Sequence, residues 1–422
     1  MGELVERVWR PALDTSVSRR HRRPCEYRAY IPDPLAALDI VLPGELTADV
    51  SDAERAVVEL NAGNGGAGDL EALARILLRA EAVASSRIEG LTVAHRRLLK
   101  FEAARSSGVP LADHTAQAVL GNVAAMQAAI AAAEKDGPLA VDDLLDIHKA
   151  LMSETEDAAW GGVVRREQNW IRGQTPCVAE FVPPPYEEVD RLLDDLISFL
   201  NSDDLPPVVQ AAIAHAQFET IHPFHDGNGR AGRALIHVVL RRRGLAPHYV
   251  PPISLALATA SSAYVDGLTA FRYAGSPTSD EAHEGVRTWI EVAVTATQRA
   301  CQEALRLADE LDRLQAKWRA QVQARRGSTA DLLLGVICRA PVITATTAAA
   351  MVGRSKVAAN TAIEQLVAAG VLKQTTAGRR NRAFEATEVF DVLVGYERAV
   401  ASPTGNTQTD PPTRAVPARR TI

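Results

Sequence analysis

The sequence predicts a mainly helical protein with a short β-hairpin flap beside its helical core and a winged helix-turn-helix-like domain near its C-terminus. Apolar residues recur every three to four positions in several long segments, which is the spacing of an amphipathic helix. These segments cover residues 116–133, 141–152, 187–200, 207–220, 230–243 and about 284–326. A Gly/Pro turn between two short apolar runs, at residues 170–182, predicts the hairpin.

Composition and charge narrow the class of protein. A chain of 422 residues, 47% of them hydrophobic, is long enough for two domains or more, and its net charge of -6 gives no overall attraction for nucleic acid. The first residues lack the apolar run of a signal peptide, and we expect no charge-free segment of membrane-spanning length. We therefore expect a cytoplasmic protein without membrane contact. The four scattered cysteines lack Cys-x-x-Cys spacing, which predicts reduced thiols.

Residues 222–233, His-Pro-Phe-His-Asp-Gly-Asn-Gly-Arg-Ala-Gly-Arg, contain the groups needed to bind a polyphosphate. Gly227 and Gly229 permit the positive φ angles that turn successive N–H groups toward one anion. Arg230 and Arg233 follow at the start of an apolar helical run, where the helix dipole also favours anions. Planar guanidinium groups bind two phosphate oxygens at once.

Two further residues of this stretch suit chemistry at a phosphate. Asp226 is a hard oxygen ligand of the type that Mg²⁺ accepts alongside phosphates and water. His222 has a pKa near neutrality and is the natural base for an attacking hydroxyl. The stretch has neither Walker A nor dinucleotide-fold spacing. A zinc site of His222, His225 and Asp226 is disfavoured, because the chain turns at Gly227 where a zinc protease would continue its helix.

The twelve residues match His-x-Phe-x-Asp/Glu-Gly-Asn-Gly-Arg-x-x-Arg at every fixed position, so the chain resembles the Fic family. The resemblance implies a helical enzyme that transfers AMP from ATP and Mg²⁺ to a Ser, Thr or Tyr hydroxyl of a target protein and releases pyrophosphate. It implies that His222 is the base, Phe224 the core anchor of the loop and Asp226 the metal ligand. The ATP-binding residues that it implies are Gly227, Asn228, Gly229, Arg230 and Arg233.

An upstream segment resembles the inhibitory motif of the same family, Ser/Thr-x-x-x-Glu-Gly/Asn. Ser85, Glu89 and Gly90 occupy its fixed positions, after an amphipathic helical pattern. The resemblance implies that Glu89 pairs with Arg233 where the ATP γ-phosphate would bind, which leaves ATP in an unproductive pose. By itself the segment would also fit an ordinary polar helix end before Gly90.

Two more segments resemble parts of the Fic core. The predicted hairpin is similar to the flap that aligns a target backbone by strand addition. Its target-docking residues would be Trp170, Ile171, Phe181 and Val182, and an unspecialised surface hairpin is the alternative. The segment around Tyr264 resembles the one whose aromatic residue packs near adenine, which makes Tyr264 an expected ATP contact.

The pattern predicts six regions along the chain. They are an N-terminal arm (1–43), a helical region with the inhibitory motif (44–110), the catalytic core (111–300), a long bridging helix (284–326), the winged-helix-like domain (327–400) and a disordered tail (401–422). Residues 61–68 are expected to form a surface loop. The winged-helix-like domain has basic residues suited to DNA phosphates, namely Arg354, Lys356, Arg379, Arg380 and Arg382.

Alternatives of other classes stay open at this stage. The chain would be a DNA-binding regulator if its Fic-like core only sensed a nucleotide, although the intact His222 favours an enzyme. Within the enzyme class, the motif also fits removal of AMP, or transfer of UMP or phosphocholine. Expected partners are a target protein, the chain itself through self-modification, a second copy in a homodimer, or DNA.

Overall fold

The computed structural model describes residues 2–10, 23–62, 70–106, 112–375, 382–402 and 410–416. Within these ranges the structure is mainly helical, which confirms the predicted fold class. The helices are α1 (Gly44–Ala62), α2 (Leu70–Ile88), α3 (His95–Ser106), α4 (His114–Glu134), α5 (Val141–Met152), α6 (Tyr186–Leu200), α7 (Pro207–Ile221), α8 (Asn228–Arg242), α9 (Ile253–Thr259), α10 (Ser261–Phe271), α11 (Asp280–Val322), α12 (Thr329–Val336), α13 (Ala345–Val352), α14 (Lys356–Ala368) and α15 (Thr387–Ala401).

The chain divides into two compact units. The first unit comprises residues 1–54, 124–245 and 260–295, and the second comprises residues 55–123, 246–259 and 296–422. The two units are defined by contacts in the folded chain, whereas the six expected regions were defined by sequence pattern. The boundaries of the six regions therefore stay predictions.

The first unit begins with a β-hairpin, where the sequence predicted an extended arm. Strand β1 (Glu3–Trp9) pairs antiparallel with β2 (Cys25–Ile31), in the register Glu3 to Ile31 through Trp9 to Cys25. Strand β2 alternates apolar and polar residues from Cys25 to Arg28, which suits a two-stranded ribbon with one covered face. Tyr30, at the end of β2, is buried and donates its hydroxyl to the carbonyl of Tyr273 at 2.6 Å. The arm is thereby attached to the helical body.

Helices α7 and α8 form the core of the first unit. Every residue from Val208 to Ile221 in α7 is buried, and so is every residue from Asn228 to Leu240 in α8. A helix buried on all sides needs no polar face, which explains the almost continuous apolar sequence of α7. Helix α6 lies at the surface of this core and buries one apolar stripe, which includes Leu192 and Leu196. Between α7 and α8 lies the loop that begins the predicted phosphate-binding motif.

The second unit contains α2, α3, α9 and the C-terminal elements. A three-stranded sheet in the order β3-β5-β4 is formed by β3 (Val342–Thr344), β4 (Lys373–Gln374) and β5 (Ala383–Glu385). From α13 to β5 the order helix, helix, strand, strand follows the helix-turn-helix and hairpin expected in this region, whereas α12 and β3 were not predicted. The wing residues Arg379 and Arg380, like most of the loop predicted at 61–68, lie outside the described residues.

The cysteine prediction is wrong for one pair. Cys25 of the arm and Cys177 form a disulfide, with their Cα atoms 6.3 Å apart. Scattered spacing could not reveal it, because the two cysteines are 152 residues apart and meet only in the folded first unit. The other two, Cys301 and Cys338, are buried free thiols, as predicted.

Helix α4 corrects the expectation about charge-free segments. Among the described residues it is long and apolar enough to cross a membrane by length and composition, and 44% of its most apolar window is buried inside the protein. Core helices of globular domains pass the same test. Asn122 of this helix is fully buried and donates to the carbonyl of Ala82 at 2.8 Å and to Ser86 Oγ at 3.1 Å. This polar contact to α2 is what a core helix requires.

Part of the predicted disordered tail packs against the second unit. Thr413 donates its N–H to the carbonyl of Ala401 at 2.9 Å, and Arg414 donates to the carbonyl of Glu397 at 3.2 Å. Residues 410–416 therefore have a defined position. The remaining tail segments, 403–409 and 417–422, lie outside the described residues.

Candidate nucleotide-binding site

The motif loop is defined by two left-handed residues, one at each end. His222 ends α7 with φ 50° and ψ 60°, and Gly227 precedes α8 with φ 78°. At Gly227 a side chain would also collide, since a Cβ atom there would lie 2.8 Å from Leu151 Cδ2. The loop is thus a tight connection that brings the end of one buried helix to the start of the next.

The side chain of Asn228 fastens this loop from inside. Its Oδ1 accepts the N–H of Phe224 and its Nδ2 donates to the carbonyl of Phe224, both at 2.8 Å. Phe224 is fully buried, which agrees with its expected role as the core anchor. Because the amide is used within the loop, the backbone N–H of Asn228 is the group that this residue can offer an anion. The N–H groups of the first helical turn have no acceptor inside the helix and point out of its N-terminus.

Two buried arginines of α8 lie behind that N-terminus. Arg230 is 4% exposed, and its Nη2 donates to Asp226 Oδ2 at 3.0 Å. Its Nε and Nη1 are buried and have no hydrogen-bond partner among the described residues. Buried donors of a charged group are expensive to leave unpaired, so these two nitrogens indicate an anionic ligand. The carboxylate of Asp226 itself is 68% exposed, as a ligand to a hydrated metal would be.

The guanidinium of Arg233 contacts the hydroxyl group of Tyr264. Its Nη1 lies 3.3 Å from the Tyr264 hydroxyl, which is also 3.0 Å from Nε2 of His215. All three side chains are buried. Burial and the Arg233 charge lower the pKa of His215 to about 3, so His215 is neutral at physiological pH. Tyr264 therefore positions Arg233, and its expected contact with adenine stays a prediction.

His222 is neutral as well. Burial, reinforced by the guanidiniums of Arg272 and Arg165, lowers the pKa of His222 to about 3. Nδ1 of His222 lies 3.9 Å from Glu219 Oε2, which is beyond hydrogen-bond distance. An imidazole that is deprotonated before the substrate arrives can accept a proton at once.

Three residues that support this loop were not identified from the sequence. The fully buried Arg165 donates to the carbonyls of His222 at 2.9 Å and of Pro184 at 2.7 Å. Asn169 donates to the carbonyls of His222 and Phe224. His148 accepts the N–H of Gly162 on Nδ1, so its Nε2 carries the proton and donates to the carbonyl of Asp226 at 2.9 Å. Isolated polar residues such as these carry no local sequence pattern.

Comparison with known protein families shows which family the region around this loop matches. Residues 138–240 match the Fic/DOC family, and residues 47–131 match the Fic/DOC family N-terminal region. The chain thus contains a Fic/DOC family domain and a Fic/DOC N-terminal region. It is 31% identical over 116 residues to protein adenylyltransferase fic-1 of Caenorhabditis elegans and 31% identical over 169 residues to protein adenylyltransferase Fic of Drosophila erecta.

These Fic relatives are matched over part of their length. The alignments cover 27% and 39% of this chain, and 21% and 32% of the relatives, respectively. The chain thus spans a third or less of the curated relatives it matches. A solved Fic family protein from Desulfovibrio desulfuricans covers 84% of this chain and 98% of its own, with 19% identity and a TM-score of 0.49.

The flap of this Fic domain is a single β-bridge between Ile171 and Phe181. Ile171 donates to the carbonyl of Phe181 at 2.8 Å, and the carbonyl of Val182 accepts the N–H of Tyr30 from the arm at 3.0 Å. The arm therefore covers the outer edge at Val182, where the sequence suggested target docking. The edge at Trp170, on the other strand, stays the place for strand addition.

The predicted inhibitory segment belongs to the second unit. Ser85 is buried in α2, and Glu89 is exposed just beyond its C-terminus. Gly90 has φ 82°, and Leu91 donates its N–H to the carbonyl of Ser86 at 3.0 Å, which closes the helix with a left-handed cap. The cap explains the glycine by itself, so inhibition by Glu89 stays a prediction, as do the roles assigned to the other site residues.

Proposed function

We propose that this chain is a protein adenylyltransferase that transfers AMP from ATP to a Ser, Thr or Tyr hydroxyl of a target protein. One observation carries the proposal. Among the described residues, two buried nitrogens of Arg230 have no hydrogen-bond partner, and they lie at the N-terminus of α8, next to the loop that contains the neutral His222. A triphosphate satisfies those donors, and a neutral imidazole next to it serves as the base. The names of the curated relatives support the same activity.

The residues of the site fit the parts of such a reaction. The first N–H groups of α8 and the Arg230 guanidinium hold the α- and β-phosphates, and Arg233 holds the γ-phosphate. Asp226 would hold Mg²⁺, because its exposed carboxylate suits one protein ligand among waters and phosphates. The metal neutralises phosphate charge when bound. Among the described residues no three His, Cys, Asp or Glu side chains cluster as a metal site, which agrees with a metal that arrives with the nucleotide.

His222 then takes the proton of the attacking hydroxyl. The oxygen bonds to the α-phosphorus, the bond to the β-phosphate bridging oxygen breaks, and pyrophosphate leaves with that electron pair. Negative charge on the triphosphate favours the imidazolium, so ATP raises the His222 pKa from its low resting value toward neutrality. This raises its strength as a base while substrate is bound.

We further propose that Glu89 holds the enzyme inactive by competing with the γ-phosphate for Arg233. A carboxylate and a phosphate bind the same planar guanidinium, so one excludes the other. Glu89 is exposed just beyond the end of α2, so its carboxylate is in contact with solvent. A cytoplasmic location is also a proposal. The Cys25–Cys177 disulfide argues against it, because disulfides are uncommon in reducing compartments.

Labelled ATP tests the activity directly. Wild type, Glu89→Gly, His222→Ala and the double variant are incubated with Mg²⁺ and ATP labelled on the α-phosphate, or with ATP labelled on the γ-phosphate. We expect Glu89→Gly to transfer the α-label to itself or an added protein, and both His222→Ala forms to transfer none. Equal labelling by all four variants, or transfer of the γ-label, would contradict the proposal. Loss of a pre-attached AMP from the wild type alone would favour AMP removal.

The C-terminal region supports one alternative of another class. Arg354 and Lys356 are exposed at the start of α14, where the recognition helix of a winged helix would begin. We propose DNA binding by residues 327–400 as this alternative. A mobility shift of duplex DNA by the full chain, lost on Arg354→Ala/Lys356→Ala, would support it, and no shift at low salt would end it.

A further inference from the structure

A groove of about 470 Å³ runs between the arm and the flap of the first unit. One side is formed by the face of the β1-β2 hairpin and the other by the segment from Pro176 to Val182. The fold leaves this space open although the two sides are joined along one edge. A groove of this size accommodates a few side chains of a bound polypeptide.

Three contacts hold the two sides of the groove together. Tyr30 donates its N–H to the carbonyl of Val182 at 3.0 Å, and the rings of Tyr30 and Phe181 lie 6.1 Å apart. The disulfide between Cys25 and Cys177 closes the same junction covalently. Because the arm is attached in this way, the groove is preformed and needs little ordering when a ligand binds.

The strand register decides which side chains face the groove. Residues directly opposite in an antiparallel pair share one face, and here Glu6 lies opposite Arg28 and Val8 opposite Glu26. Glu6, Arg28 and Glu26 line the groove, and Glu180 adds a third carboxylate from the flap. The lining thus has three carboxylates and one guanidinium on exposed residues, and the carboxylate of Glu180 is also paired with Arg172 at 2.8 Å.

We infer that this groove is a docking site for a basic segment of the target protein, next to the hydroxyl that is modified. The inference rests on the proposed adenylyltransferase function. Glu6 and Glu26 outnumber Arg28, so the lining attracts Lys and Arg side chains and repels nucleic acid, and the exposed side chain of Leu4 offers their aliphatic stems an apolar surface. Phe181 connects the groove to the catalytic side, because the Arg272 guanidinium lies 3.8 Å over its ring and contacts Thr220 of α7.

Strand addition alone reads the backbone of a target and gives little side-chain selectivity. The arm covers the flap edge at Val182, so this edge is not open to the backbone of a target. In its place the arm provides one side of a groove whose charged residues select target side chains by their charge. The groove therefore supplies the selectivity that the flap lacks.

Peptide binding tests the inference without catalysis. Two fluorescein-labelled dodecapeptides share a central serine, and one carries four flanking Arg or Lys where the other carries Glu. Fluorescence anisotropy without ATP measures their binding to the full chain, to Glu6→Gln/Glu26→Gln, and to the control Asp203→Asn/Asp204→Asn, which alters two exposed carboxylates of the first unit outside the groove. We expect wild type and control to prefer the basic peptide, and the groove variant to bind it roughly fivefold more weakly, because exposed ion pairs contribute up to about 1 kcal/mol.

Two results would overturn the inference: equal binding of both peptides to the wild type, or undiminished binding of the basic peptide to Glu6→Gln/Glu26→Gln. Because binding is measured without ATP, failure of AMP transfer in the Glu89→Gly variant would contradict the proposed function alone. Basic-peptide binding that is lost in the groove variant would still establish the docking site.

Discussion

Replacement of Asn228 by alanine should weaken both the fold and AMP transfer, whereas the same replacement at Asn201 should affect only stability. Each of these two amide side chains hydrogen-bonds both the N–H and the carbonyl of a single residue. For Asn228 this residue is Phe224, with both bonds at 2.8 Å, and for Asn201 it is Leu139, with bonds at 2.8 and 3.0 Å. Asn201 is exposed and remote from the motif in sequence. It is therefore a matched control.

The buried position of Asn228 sets the size of the effect. Asn228 is 3% exposed, so alanine leaves the buried N–H of Phe224 unsatisfied, at about 1–3 kcal/mol, while the Phe224 carbonyl keeps its hydrogen bond from Asn169. We expect a loss of about 2 kcal/mol in the free energy of unfolding. At Asn201 water replaces the amide, and the loss should be about 1 kcal/mol. A loop displaced by 1 Å should lower the transfer rate about a hundredfold in Asn228→Ala.

Urea denaturation followed by circular dichroism measures the stability, and transfer of the α-label in the Glu89→Gly background measures the activity. Activity is compared at a temperature where more than nine-tenths of each variant is folded. The reasoning would be refuted if Asn228→Ala were as stable as Asn201→Ala, or if the two variants transferred AMP at the same rate.

Two further predictions concern acid and the support of Arg233. Burial lowers the pKa of His148 to about 4, and those of His215 and His222 to about 3, so the unfolded chain binds these protons first as pH falls below about 6.5. The free energy of unfolding should therefore be highest above pH 6.5 and should be lower by about 2 kcal/mol per histidine at pH 5. Urea denaturation at pH 7 and at pH 5 would measure this difference. Equal denaturation midpoints at the two pH values would contradict the burial argument. Tyr264→Phe removes the hydroxyl that holds Arg233 and should raise the KM for ATP about fivefold to twentyfold with a smaller change in kcat, as steady-state kinetics would show; an unchanged KM would mean that the hydroxyl does not position Arg233.

The helices of the catalytic core could be predicted closely, because their apolar spacing is local. The pattern at 207–220 corresponds to α7, which ends one residue later, and the pattern at 141–152 gave both ends of α5. The motif residues could be identified because their spacing is itself the signal. In each case neighbouring residues in the sequence are neighbours in the structure.

Partners distant in the sequence could not be predicted. Arg165 is followed directly by Arg166, and nothing in the sequence distinguishes the buried guanidinium from the exposed one. The pairing of β1 with β2 was missed because the arm, with its Pro and Arg residues, resembles an extended coil. The contact of the Tyr264 hydroxyl with Arg233 was likewise not predicted, because it depends on where α10 lies relative to α8.

The Cys25–Cys177 bond turns much of the protein into a covalent ring. The ring closes over 152 residues and includes all of residues 55–123, with the predicted inhibitory segment, so a stretch of the second unit is part of a ring that is closed by a bond in the first. In the chain-entropy description a ring of this length favours folding by about 5 kcal/mol. A protease cut between residues 26 and 176 consequently yields two fragments that travel as one molecule, and the arm stays with the flap after the peptide chain has been severed.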